Sequence, residues 1–144
     1  MSQLKLVAFD QQDLGIVSAH VQDAVMKVAD LTYLKGEGRF VVAMNRFVWE
    51  NKPGFFSRKH ERRRCALHFE GVRGVRISGF SLQKGDDVLS LLALRFEADE
   101  APSGVIELTF AGDAAIRLDV EYVEARLSDL GAAWETASRP LHKT

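Results

Sequence analysis

Apolar residues recur along this chain with two rhythms, and each predicts a different element. Residues 4–9, LKLVAF, form a short run that ends at turn-prone Asp10 and predicts a strand. Leu14, Val17, Val21 and Ala24 then recur at spacings of three and four, the pattern of a helix buried along one stripe. That helix is expected from about Asp13, as N-cap, to about Ala24. Gly15 weakens it by about 1 kcal/mol relative to alanine.

From Met26 the rhythm shortens to two. Gly36-Glu37-Gly38 divides Val28–Leu34 from Phe40–Trp49 and is the strongest hairpin signal in the chain. The second arm is apolar on both faces. Phe40, Val42 and Met44 alternate with Val41, Ala43, Phe47 and Trp49, which predicts a central strand or one lying at an oligomer contact. Asn51-Lys52-Pro53-Gly54 breaks the pattern, and no period is visible from Phe55 to Arg62. Alternation returns at Arg64, with Cys65, Leu67 and Phe69 on one side. Gly71 marks a turn or bulge before Val72–Ile77.

A further strand is expected at Val88–Glu97, after Gly85-Asp86-Asp87. The last hairpin is the cleanest: Ile106, Leu108 and Phe110, then Gly112-Asp113, then Ile116, Leu118 and Val120. Val120, Val123, Leu127 and Leu130 fit one helical face, so a closing helix is expected over about Val120–Leu130 with Gly131 as its αL cap. The fold class is therefore α+β: a mainly antiparallel bent sheet or roll of about seven or eight strands with an early and a C-terminal helix. A meandering sheet plugged by a C-terminal helix is also the element order of a pleckstrin-homology-like barrel, an analogy of architecture alone. Residues 1–132 are expected to form one domain and 133–144 a C-terminal tail.

Composition narrows the function classes. The chain has 144 residues, a net charge of −1 and one cysteine, Cys65, so it has no intramolecular disulfide and no cysteine-based zinc cage. Residues 1–9 lack a secretory h-region, and no apolar run approaches the length of a membrane span. The expectation is a cytoplasmic protein. The balanced charge offers no global attraction to nucleic acid or to an anionic membrane.

Locally the charge is far from balanced. Between Arg46 and Arg76 lie nine Lys or Arg and only three acids, densest in SRKHERRR at 57–64. Such a cluster can hold a carboxylate or phosphate through guanidinium contacts, with Phe55 and Phe56 placed to stack a base. It can equally be a solvated connection between two strands, and the weighing favours that connection. The candidate anion- or partner-binding residues are Arg58, Lys59, Arg62, Arg63 and Arg64, and the candidate interface residues are Phe47 and Trp49. A homodimer or another protein partner is compatible with the two-faced strand. An anionic small molecule held by Arg46, Arg62 or Arg64 is the alternative, and nucleic acid a third reading.

Candidate chemistry is sparse. His20 and Asp23 are three apart, a spacing that allows a hydrogen bond on a helix, but no nucleophile motif accompanies them. His68 and Glu70 share a strand face and could supply two metal ligands, with a third and fourth needed from elsewhere. Neither KGEGRF nor GVRGVRISG has the order of a phosphate cradle. No catalytic residue, metal site or cofactor is expected, and the leading reading is a non-catalytic binding or interaction domain.

Several stretches carry a resemblance: LKLVAFDQQDLGIVSAHVQDAVMKVADLTYL, MNRFVWE, RRRCALHFEGVRGVRISG, LSLLALRFE and ELTFAGDAAIRLDVEYVEARLSDLG. Over about residues 4–140 the chain resembles an alphaproteobacterial family of unknown function. The resemblance implies a cytoplasmic bacterial protein and brings with it no active site.

Overall fold

The computed structural model describes residues 4–51 and 58–130, with backbone only at 49–51 and 58–61. Ten strands follow one helix-containing order: β1 (Lys5–Ala8), α1 (Gln11–Val21), β2 (Val25–Lys27), β3 (Leu31–Leu34), β4 (Arg39–Asn51), β5 (Arg58–Phe69), β6 (Val72–Ser78), β7 (Val88–Ala98), β8 (Gly104–Phe110), β9 (Ala114–Val120) and β10 (Ala125–Asp129). They form one antiparallel sheet in the order β1-β10-β5-β4-β2-β7-β8-β9-β6, with β3 added to β4.

Three-residue β2 is the bend. It meets β4 only at Val25↔Asn45 and meets β7 over Val25–Lys27. The two halves of the sheet fold about it, so that Val42, Met44, Leu67 and Leu127 share one core with Leu91, Ile106, Leu108, Ile116 and Leu118. Burial of one such leucine or isoleucine contributes about 1.5–3 kcal/mol. Strand β8 alternates buried and half-buried residues without a break, as its sequence predicts. The far edge, β6, is tied back where the Val72 N–H donates to the Gly38 carbonyl at 2.9 Å.

Helix α1 lies against β7 and β1 through Leu14, Val17 and Val21, all buried. Its cap is Asp10, whose carboxylate accepts the Asp13 N–H at 2.8 Å, three residues before the Asp13 cap expected from sequence. It also ends three residues before Ala24, which is buried beyond it. The Ser18 hydroxyl accepts the Leu94 N–H at 2.9 Å, pinning the helix to the sheet.

Two expectations are corrected. The segment expected as a closing helix is strand β10, preceded by a bend after β9. Val123, Ala125, Leu127 and Asp129 are buried at a period of two, and the spacing of four between Val123 and Leu127 fits both rhythms. With no helix over 120–130, the plug that suggested a pleckstrin-homology-like barrel is gone; the proposed cap Gly131 and the tail 133–144 lie outside the described residues. The second correction concerns the basic run, which belongs to a strand and not to a loop.

Candidate functional site

Strands β4 and β5 pair over twelve positions, from Phe40↔Phe69 to Asn51↔Arg58. The inner end of this ribbon is built into the sheet. β2 reaches β4 at Asn45, β10 reaches β5 as far as Cys65, and the Leu130 N–H donates to the Arg64 carbonyl at 2.8 Å. Farther out, from Arg46↔Arg63 to Asn51↔Arg58, no other described strand pairs with either one. At about 3.4 Å per residue these six positions make an arm roughly 20 Å long.

The arm explains the charge cluster and sorts its members. Arg46 is buried, with its side chain 8% exposed, against Asp129 at 1%. Its Nε donates to Asp129 Oδ1 and its Nη2 to Oδ2, both at 2.8 Å, and the Leu4 N–H adds a third bond to the same carboxylate at 3.1 Å. Burial opposes ionisation of Asp129. The Arg46 hydrogen bonds, the Leu4 amide and the nearby Arg46 and Arg63 charges outweigh it and hold the carboxyl below its usual range. The Asp129 hydrogen bond in turn raises the Arg46 pKa against the cost of burial. This pair joins β4 to β10 across β5 and roots the arm; Arg46 is a structural residue.

Cys65 lies opposite both Met44 and Asp129 in the register and is fully buried. Burial, reinforced by the Asp129 charge, pushes its thiol up to about 12, far from the range of a nucleophile.

Of the sequence-predicted residues, Arg62 is exposed and Arg63 and Arg64 are half-buried. Arg58 and Lys59 are placed by backbone register alone, opposite Asn51 and Glu50. Phe47 is half-buried opposite Arg62, and Trp49 stands opposite His60 in the register. The five basic candidates therefore share one strand. Arg64 turns toward the body and contacts Asp30 at 3.5 Å.

That contact borders a groove of about 330 Å³ lined by Val25, Met26, Lys27, Asp30, Asn45, Arg64 and Val88. Its lining comes from β2, β4, β5, β7 and the 3₁₀ turn Val28–Asp30. Sequence reasoning reached only Arg64. The other six are scattered from 25 to 88 and carry no shared motif, so the sole available signal was the hairpin that brings Asn45 opposite Arg64.

The remaining polar clusters are self-contained. His68 Nδ1 lies 2.9 Å from Glu70 Oε2, and Arg39 Nε donates to the same oxygen at 2.8 Å. Burial works against the Glu70 carboxylate, but these two partners hold its pKa below the usual value. His20 does not bond Asp23; its Nδ1 lies 3.0 Å from the Ile16 carbonyl oxygen. On the other half of the sheet Arg95 donates to Glu107 at 2.7 Å and Arg117 at 3.3 Å. Among the described residues no group of three or more His, Cys, Asp or Glu is placed to hold a metal ion, and no helix is long and apolar enough to cross a membrane.

No curated protein and no solved structure matches the chain. A family model does, over residues 4–142. With nearly its whole length matched, this chain belongs to DUF2948, a family of proteins of unknown function.

Proposed function

We propose that this chain is a non-catalytic interaction module whose β4–β5 arm receives an acidic protein partner. The observation that carries the reading is the outer arm itself: six paired positions, Arg46↔Arg63 to Asn51↔Arg58, flanked by no other described strand. A lone two-stranded ribbon is marginal in water, and this one concentrates Arg58, Lys59, Arg62 and Arg63 against Glu50 and Glu61. Exposed Arg62 with Phe47 opposite gives the charged-plus-aromatic composition enriched at protein contacts.

Charge elsewhere favours a protein over nucleic acid. Two acids are interleaved within the arm, and the chain as a whole is net negative, whereas nucleic-acid modules present a basic face across the domain. The same reading places the protein in the cytoplasm, supported by a single, buried, unpaired cysteine.

The test is a photo-crosslinking amino acid placed in living cells at position 62 and, for comparison, at exposed position 117 on the opposite half of the sheet. Expected are protein adducts at 62 that are absent at 117, acidic in sequence, and lost when Arg58 and Lys59 are both changed to glutamate. Equal adduct yields at the two positions, or adducts removed by nuclease, would overturn the proposal.

A further inference from the structure

The groove at the root of the arm places Arg64 and Asn45 beside Val25 and Val88. We infer that it is a binding site for a short aliphatic carboxylate, independent of whatever the outer arm binds. Arg64 carries the recognition. Its side chain is 28% exposed and meets Asp30 at 3.5 Å, beyond the 2.7–2.9 Å of a charge-assisted hydrogen bond. Asp30 is meanwhile engaged through its other oxygen, Oδ2, by the Lys27 N–H at 2.9 Å.

Arg64 thus differs from Arg46, one pair outward in the same ribbon, whose fork is filled by Asp129. It retains N–H donors for a planar two-oxygen anion. Asn45, directly opposite Arg64 in the register, also lines the groove, and its carboxamide can donate to the same carboxylate. Lys27 adds a second positive charge at the rim, held loosely by Asp86 at 3.9 Å.

Beside these polar groups the lining is apolar. Val25 and Val88 contribute to its lining, and Val88 is 64% exposed, which leaves its side chain open to a ligand. A carboxylate bound by Arg64 and Asn45 directs its chain along Val25 toward Val88. The volume of about 330 Å³ lies at the small end of ligand sites and has room for an acid of about six carbons. Asp30 sets the selectivity: by partly neutralising Arg64 it favours one negative charge over a phosphate dianion.

Hexanoate is the probe, titrated into the full chain at low salt and followed by amide nitrogen–proton NMR. Expected are saturable shifts confined to Val25, Lys27, Asn45, Arg64 and Val88, with affinity in about the millimolar range for a ligand this small. Hexylamine and inorganic phosphate should leave those amides unmoved. Arg64→Ala should weaken hexanoate at least tenfold. Val88→Asp, at an exposed position that the fold does not need, should do the same while preserving the remaining spectrum. Shifts that never saturate, equal shifts with hexylamine, or unchanged affinity in Val88→Asp would overturn the assignment.

Discussion

Replacing Asp129 by alanine leaves the Arg46 guanidinium buried with no counter-ion. In the native protein its side chain is 8% exposed and donates two 2.8 Å hydrogen bonds to one carboxylate. Breaking a buried pair from one side costs about 3–5 kcal/mol, and the Leu4 amide, which also donates to Asp129, loses its acceptor for about 1 kcal/mol more. For a chain of this size that lowers Tm by about 13–20 °C. Replacing the pair together, Arg46→Met with Asp129→Leu, removes both charges and should lie within about 2 kcal/mol of wild type. Urea denaturation of wild type, Arg46→Met, Asp129→Leu and the double variant gives the coupling directly.

The pH dependence follows with a definite sign. The folded pKa of Asp129 is depressed, so its contribution is complete above the unfolded value of about 3.9 and disappears as pH falls through the folded value. The acid flank of the stability curve should be shallower in the double variant than in wild type. A cost below about 1 kcal/mol for Asp129→Ala, or a double variant as unstable as the sum of the singles, would refute the claim that this pair roots the arm.

Cys65 should resist a thiol reagent at pH 8 in the native protein and react on denaturation, because its thiol is buried and pushed up to about 12; native reactivity would contradict its placement under the ion pair. Gly71→Ala should destabilise by about 1–3 kcal/mol, since φ is +68° and an added Cβ would lie 2.7 Å from Cζ of Tyr122. Pairing it with Tyr122→Ala should recover the steric part alone, measured by thermal unfolding. Glu107→Gln should leave stability nearly unchanged at pH 7, because Arg95 and Arg117 around it are 70% and 53% exposed and such surface pairs contribute about 0–1 kcal/mol.

The sequence was most legible where one face was apolar and the other wet. Strands β8 and β9 and the stripe Leu14, Val17 and Val21 match the structure because each side chain's burial is visible in its own chemistry. The strand count fell short of ten in part because β2 has only three residues, too few to establish a period apart from the run that contains β3. Strand β10 was missed for a different reason. Asp129 occupies a core-facing position, and its partner Arg46 lies 83 residues away, so local pattern reads it as polar and breaks the alternation.

The basic run illustrates the same limit. Arg62, Arg63 and Arg64 place charge at successive positions of a strand, which erases the alternation that identifies strands. Only the partner strand shows that 58–64 is paired backbone. The groove was less legible still, because its residues come from separate elements and meet through the bend at β2.

The central claim, that residues 58–64 form a strand of a paired arm, is tested most directly by cross-strand backbone contacts in solution. Proton–proton NMR contacts should connect Phe47 with Arg62, Trp49 with His60 and Asn51 with Arg58, as the register requires, with strand-like Cα shifts throughout. Random-coil shifts over 58–64 and no contact between the two segments would contradict it.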